Sequence, residues 1–244
     1  MKKLASLLLP AALLCASVGC APKLDLPETV ANHAELKTFT ALKSNKGVPV
    51  ALFNGSDLNG FYSFQRTYGK NDDQEKAINV QDGIIHLDGA DFGYICTEGS
   101  YKNYYLKVVF RWGENKYEPR LEAPRDSGIL YHFTEGLEDK VWPASVECQI
   151  QENDCGDYFF VGGTSGVSPN ETVGRRVIRT DNFENPGQEW NTIEVICLDD
   201  RSEHYVNGHL VNQASELSAT EGRILFQLEG AEIFYKSIEL LQLK

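Results

Sequence analysis

This 244-residue chain lacks most of the short motifs that announce a chemistry. It has no Cys-x-x-Cys, so redox and zinc-ribbon roles have no support. It has no Gly-rich phosphate loop, no His-Glu-x-x-His and no Gly-x-Ser-x-Gly, which removes the usual starting points for nucleotide binding, zincin and serine-hydrolase readings. No basic patch occurs: Lys and Arg number 23 against 35 Asp and Glu, a net charge of −12. Nucleic acid and anionic lipid are therefore poor partners. There is no long helical pattern and no internal repeat. The first apolar run, Leu4 to Val18, is too short and wrongly flanked to cross a membrane.

That run instead reads as a targeting segment. Lys2 and Lys3 supply a positive start, and Ser17-Val18-Gly19-Cys20 resembles a bacterial lipoprotein cleavage site. Residues 1–19 are expected to leave, with Cys20 carrying the lipid. Ordinary signal-peptidase cleavage is the alternative. The mature chain would hold 21 basic and 35 acidic residues and sit in the bacterial cell envelope, touching the membrane through its lipid alone. Residues 20–48 are polar and without sustained periodicity, a tether with one helical turn expected around Glu35–Leu42. Four cysteines remain, Cys96, Cys148, Cys155 and Cys197, in an oxidising compartment. They allow three pairings. Cys148 and Cys155 flank a short polar turn, which favours that pair, while Cys96 and Cys197 read as buried thiols.

From residue 49 to 244 the chain is a series of short apolar runs punctuated by Gly, Asn and Asp. Strands are expected at 84–87, 92–97, 104–112, 127–133, 144–151, 190–198, 203–206, 209–212, 223–228 and 233–241. Asn207-Gly208 is a two-residue hairpin turn between two of them. His204 and His209 flank that turn and are expected on its surface. Many short strands with close turns predict one all-β domain of antiparallel sheets, and the length suffices for a full core. The Gly-, Ser- and Pro-rich stretch 162–188 is a long connection of the kind that tends to be functional.

The stretch from Arg125 to Asp157 is the most informative. Val146, Cys148 and Ile150 point one way and Glu147, Gln149 and Gln151 the other, since strand side chains alternate. A carboxylate and two amides on one face suit a wet cleft for a hydroxyl-rich ligand. A solvent-facing outer sheet would explain the two glutamines as well. Glu152, Asp154 and Asp157 have the oxygen chemistry of a calcium site. A solvated acidic turn explains them better, and no metal or other cofactor is assigned.

Six motifs in order resemble the 3-keto-disaccharide hydrolase domain family over roughly residues 50–244. They are Leu52-Phe53-Asn54-Gly55-Ser56-Asp57-Leu58-Asn59-Gly60-Phe61, Asp126-Ser127-Gly128-Ile129, Glu147-Cys148-Gln149-Ile150, Glu189-Trp190-Asn191-Thr192, Val206-Asn207-Gly208, and Ile224-Leu225-Phe226-Gln227 with Ile238-Glu239-Leu240. The resemblance implies a concanavalin-like jelly-roll β-sandwich and cleavage of glycosides already oxidised at C3. Asp126 stands for the family's Asn, His132 and Lys236 for Arg, and Glu229 for a His before glycine.

A C3 ketone acidifies the C2 hydrogen, so a base, an oxyanion partner and an acid for the leaving group are needed. Glu147 and His132 are the acid/base candidates, with Arg125 at the oxyanion and Arg111 in support. Gln149, Gln151 and Asp126 would hold the sugar, and Trp142 or Tyr131 could stack on it. Trp112 lies on the apolar face of its strand and reads as core. A structural ion pair of Glu147 with Arg125 or Arg111 is the plainer account of those charges. The leading expectation is an enzyme that splits 3-keto-disaccharides by elimination and hydration. The alternatives are a non-catalytic carbohydrate-binding module and an envelope interaction domain.

Overall fold

The computed structural model describes residues 45, 47–134 and 136–244. The expected leader, Cys20 and most of the tether, with its helical turn, lie outside the described residues. The described chain folds into a β-sandwich of two antiparallel sheets. One sheet has eight strands. Its order is His209–Ala214 (β15), Arg201–Val206 (β14), Asn191–Leu198 (β13), Tyr104–Lys116 (β7), Ala231–Gln242 (β17), Ile84–Leu87 (β5) and Ile78–Gln81 (β4), and Val50–Ala51 (β1) also pairs with β17.

The other sheet has nine strands. From one edge they are Thr172–Val173 (β11), Arg176–Val177 (β12), Tyr158–Val161 (β10), Ser145–Gln149 (β9), Gly128–Phe133 (β8), Arg223–Glu229 (β16), Phe92–Thr97 (β6), Phe61–Gln65 (β2) and Gly69–Lys70 (β3). Strands distant in sequence lie side by side, β8 against β16 and β7 against β17. This is the jelly-roll arrangement, in which two inner faces interdigitate to make one core.

The alternation read in the sequence sorts the strands correctly. Leu106, Val108, Phe110 and Trp112 of β7 face Ile129, Val146, Cys148 and Ile150 of the second sheet in the main core. Trp112 is core, as its apolar strand face requires. Strands β2, β4 and β10 escape the sequence reading because they are short and, in β2 and β10, apolar on both faces, which erases the period of two.

Three expectations are corrected here. His204 is fully buried, stacked on Tyr158 with ring centroids 3.7 Å apart, with Nδ1 bonded to the Gly156 carbonyl at 3.0 Å. Burial pushes its pKa down to about 3, so it is a neutral core residue. The turn holding Asp154 and Asp157 is only partly solvated: Asn153 is exposed and Glu152 and Asp154 half-buried, but Arg176 and Arg179 clamp Asp154 and Asp157, and Asp157 has no exposed surface. Those arginines come from the 162–188 connection and tie it to the sandwich. Finally, Cys148 and Cys155 do not pair. All four cysteines of the domain are free and buried, and Cys155 Sγ is turned to the Gln151 carbonyl at 3.6 Å.

Candidate active site

The outer face of the nine-stranded sheet carries a pocket of about 300 Å³. Side-chain alternation on β9 puts Glu147 and Gln149 there, and the chain beyond the strand adds Gln151. Asp126, just before β8, and Glu229, the last residue of β16, enter from the same side. Phe159 and Val161 of β10 form the opposite wall, and Trp142 and Arg175 stand at the rim. The register explains the meeting. Glu147 lies across from Leu130 on one side and Phe159 on the other, and Gly128 is opposite Gln149.

Gly128 leaves room for the polar groups. A Cβ there would stand 2.4 Å from Glu147 Oε1 and 2.3 Å from Gln227 Oε1, so any larger residue would displace both of them. Gln227 Oε1 is buried with no hydrogen-bond partner. The charge centre is Arg120. Its Nη2 reaches Asp126 Oδ2 and, at 3.0 Å, Glu229 Oε1. Gln151 Nε2 donates to Asp126 Oδ2 at 2.9 Å, and Trp142 Nε1 donates to Glu229 Oε2 at 3.3 Å.

Three buried carboxyls share this small space, and each holds its proton more tightly than usual. Burial is the first cause for all three. Asp126 is raised to about 7 by burial and then by Glu229, with Arg120 pulling it back. Glu147 is pushed well above the carboxylate range by burial and by Glu229 and Asp126, against a smaller opposing pull from Arg175. Burial thus brings the carboxyls of one pocket out of the ordinary acidic range, as groups that exchange protons near neutrality require. Among the described residues no group of three or more His, Cys, Asp or Glu is arranged to hold a metal ion. Arg120 supplies the counter-charge between Asp126 and Glu229.

Of the residues expected from sequence, the structure brings Glu147, Gln149, Gln151, Asp126 and Trp142 together. Four others lie elsewhere. Arg125 bonds Glu152 at 3.2 Å and the Gly113 carbonyl at 3.2 Å, because strand alternation turns it away from its neighbour Asp126. His132 sits at a bulge of β8 with φ 62°, its ring against Tyr104 and Tyr131 on the core side and its Nδ1 on the Ala219 carbonyl. Burial lowers its pKa to about 4. Tyr131 is in the core, its hydroxyl bonded to Ser202 and His204. Arg111 lies on the far sheet between Phe234 and Trp190. Sequence reasoning missed Arg120, Arg175 and Gln227 as site residues, and noted Glu229 only as a departure from a family pattern. The alternation of β16, with Leu225, Gln227 and Glu229 on one face, was the available signal for two of them.

Similar solved structures share this architecture. A candidate glycosyl hydrolase from Parabacteroides distasonis is 24% identical with a TM-score of 0.59, the match covering 82% of this chain and 95% of that one. A second from the same organism is 18% identical with a TM-score of 0.54, over 81% of this chain and 100% of that one. A β-glucanase from Bacillus licheniformis is 12% identical with a TM-score of 0.53, over 82% and 99%. At these identities the likeness concerns the fold. No curated protein matches the chain. Residues 48–241 match the model of the 3-keto-alpha-glucoside-1,2-lyase-like domain, and the chain belongs to that family of carbohydrate-active proteins.

Proposed function

We propose that this protein cleaves 3-keto-glycosides, 3-keto-disaccharides among them, by elimination and rehydration in the Glu147 pocket. The carrying observation is that Asp126 and Glu147, both buried and both holding their protons more tightly than an ordinary carboxyl, line one sugar-sized hollow. Asp126, poised near neutrality, takes the C2 proton made acidic by the C3 ketone. Arg175 faces the oxygen on which the enolate charge collects. Glu147, whose burial favours the protonated form, passes its proton to the glycosidic oxygen as the C1–O bond breaks. Water then adds back: Glu147, now ionised, accepts its proton, the hydroxyl bonds to C1, and Asp126 returns a proton to C2. The sum is hydrolysis with both carboxyls restored.

Gln149 and Gln151 supply amides for the sugar hydroxyls, and half-exposed Trp142 offers a ring face at the rim. Arg120 keeps Asp126 and Glu229 ionisable together. The leader-like segment ending at Cys20 supports a lipid-anchored protein of the bacterial envelope as the setting. The test is to incubate the purified protein with 3-keto-trehalose and with trehalose and to measure released glucose. Release from the oxidised sugar alone is expected. Binding of both with release from neither would replace this reading with a carbohydrate-binding module.

A further inference from the structure

The pocket uses only half of the sheet face on which it lies. Beyond Leu130 the same face continues through Leu225, Cys96 and Tyr62, each the register partner of the one before. These residues, with Tyr94 and Phe133, form an apolar cluster separate from the main core. They point outward, yet Tyr94, Cys96, Leu130 and Leu225 have no exposed surface.

Residues 136–144, between β8 and β9, are fastened over this half. Asp139 accepts hydrogen bonds from Tyr62 Oη at 2.8 Å and Tyr94 Oη at 2.6 Å, and pairs with Lys70 Nζ at 3.1 Å. Further along, Trp142 packs edge-on against Phe92 and bonds Glu229. The strap is thus tied to the strands it crosses, and its Trp142 stands at the pocket rim.

We propose that this strap makes the site specific for a terminal sugar ring. The inference rests on the reading of the pocket as a 3-keto-glycoside site. With one end of the sheet face roofed, the remaining volume of about 300 Å³ is at the small end for ligand pockets and takes one pyranose ring. The oxidised ring must then be the last of its chain, with the leaving group directed outward past the rim. A ketone on an internal ring would need a second exit, and the strap that Asp139 fastens sets Trp142, bonded to Glu229, on that side of the pocket.

The experiment compares two oxidised oligosaccharides with the full-length protein, one with the ketone on the non-reducing terminal ring and one with it on an internal ring. The terminal compound is expected to have a kcat/KM at least about tenfold higher. Asp139→Ala, and separately the double variant Tyr62→Phe/Tyr94→Phe, which keeps the ring packing, should raise the internal-to-terminal ratio. Equal rates on the two compounds, or an unmoved ratio in both folded variants, overturns the proposal. If neither compound is cut, the cleavage reading fails, and calorimetry on the same pair decides the strap. Tighter binding of the terminal ketone sustains it; equal binding, or none, overturns it.

Discussion

Glu147 and Gln227 converge above Gly128, their Oε1 atoms 2.4 and 2.3 Å from where a Cβ would be. The glycine is therefore needed for space, since its φ is not among the positive values. Gly128→Ala should fold, because both obstructing atoms end flexible side chains and can swing aside at a cost of about 1 kcal/mol. Activity should suffer more. A displaced carboxyl of this kind costs roughly 10²-fold, and glucose release from a 3-keto-disaccharide beside a thermal melt would separate the two effects.

Glu147→Gln removes the proposed proton donor without altering shape. Turnover should fall by about 10²–10⁴-fold. Stability at neutral pH should hold or rise, since burial penalises the charged carboxylate and the amide carries no charge. Near-normal turnover in a folded Glu147→Gln protein would remove this residue from the mechanism.

Asp126 gives the pH dependence its sign. Its folded pKa, about 7, lies above the ordinary 3.8. Between those values the native state keeps a proton that the unfolded chain has lost, so stability is greatest below about pH 4 and declines as pH rises towards 7. Melting temperatures of Asp126→Asn should show a flatter pH profile than the parent over that interval. Catalysis runs the other way: kcat/KM should rise towards pH 7 as Asp126 ionises, and Arg120→Met, which removes the cation holding that pKa down, should move the limb to higher pH.

His132→Asn and Arg125→Ala serve as contrasting cases. Asn tolerates the left-handed backbone that His132 adopts, and neither native side chain lines the pocket. Both proteins should retain the parent kcat/KM. Arg125→Ala should lose no more than about 1 kcal/mol, the scale of a partly exposed ion pair. A collapse of kcat with intact folding in either would return that residue to the mechanism.

The alternation Val146-Glu147-Cys148-Gln149-Ile150 was enough to place the central strand and its polar face, and turn chemistry placed most of its neighbours. Strand period speaks only for residues inside regular strands, however. Arg125 looked adjacent to Asp126 in sequence, but neighbours on an extended chain point apart. His132 should have faced the pocket side with Leu130, and a bulge turned it to the core. The arginine that meets Asp126 comes from the loop at 120, where no local pattern marks it. Arg175 arrives on the short hairpin of the 162–188 connection, which the sequence showed only as a long loop. The free cysteines were misread for a related reason: closeness along a turn says nothing of whether two sulfurs face each other.

Those uncrosslinked thiols have a practical corollary. No disulfide joins the four cysteines of the domain, so its fold does not depend on an oxidant. Dithiothreitol should leave its unfolding curve where it was. The sulfurs, sealed inside and pushed up by burial, Cys96 and Cys197 to about 12, offer almost no thiolate to alkylating reagents until the sheets come apart. Thiol labelling thereby becomes a built-in clock for global opening of this protein.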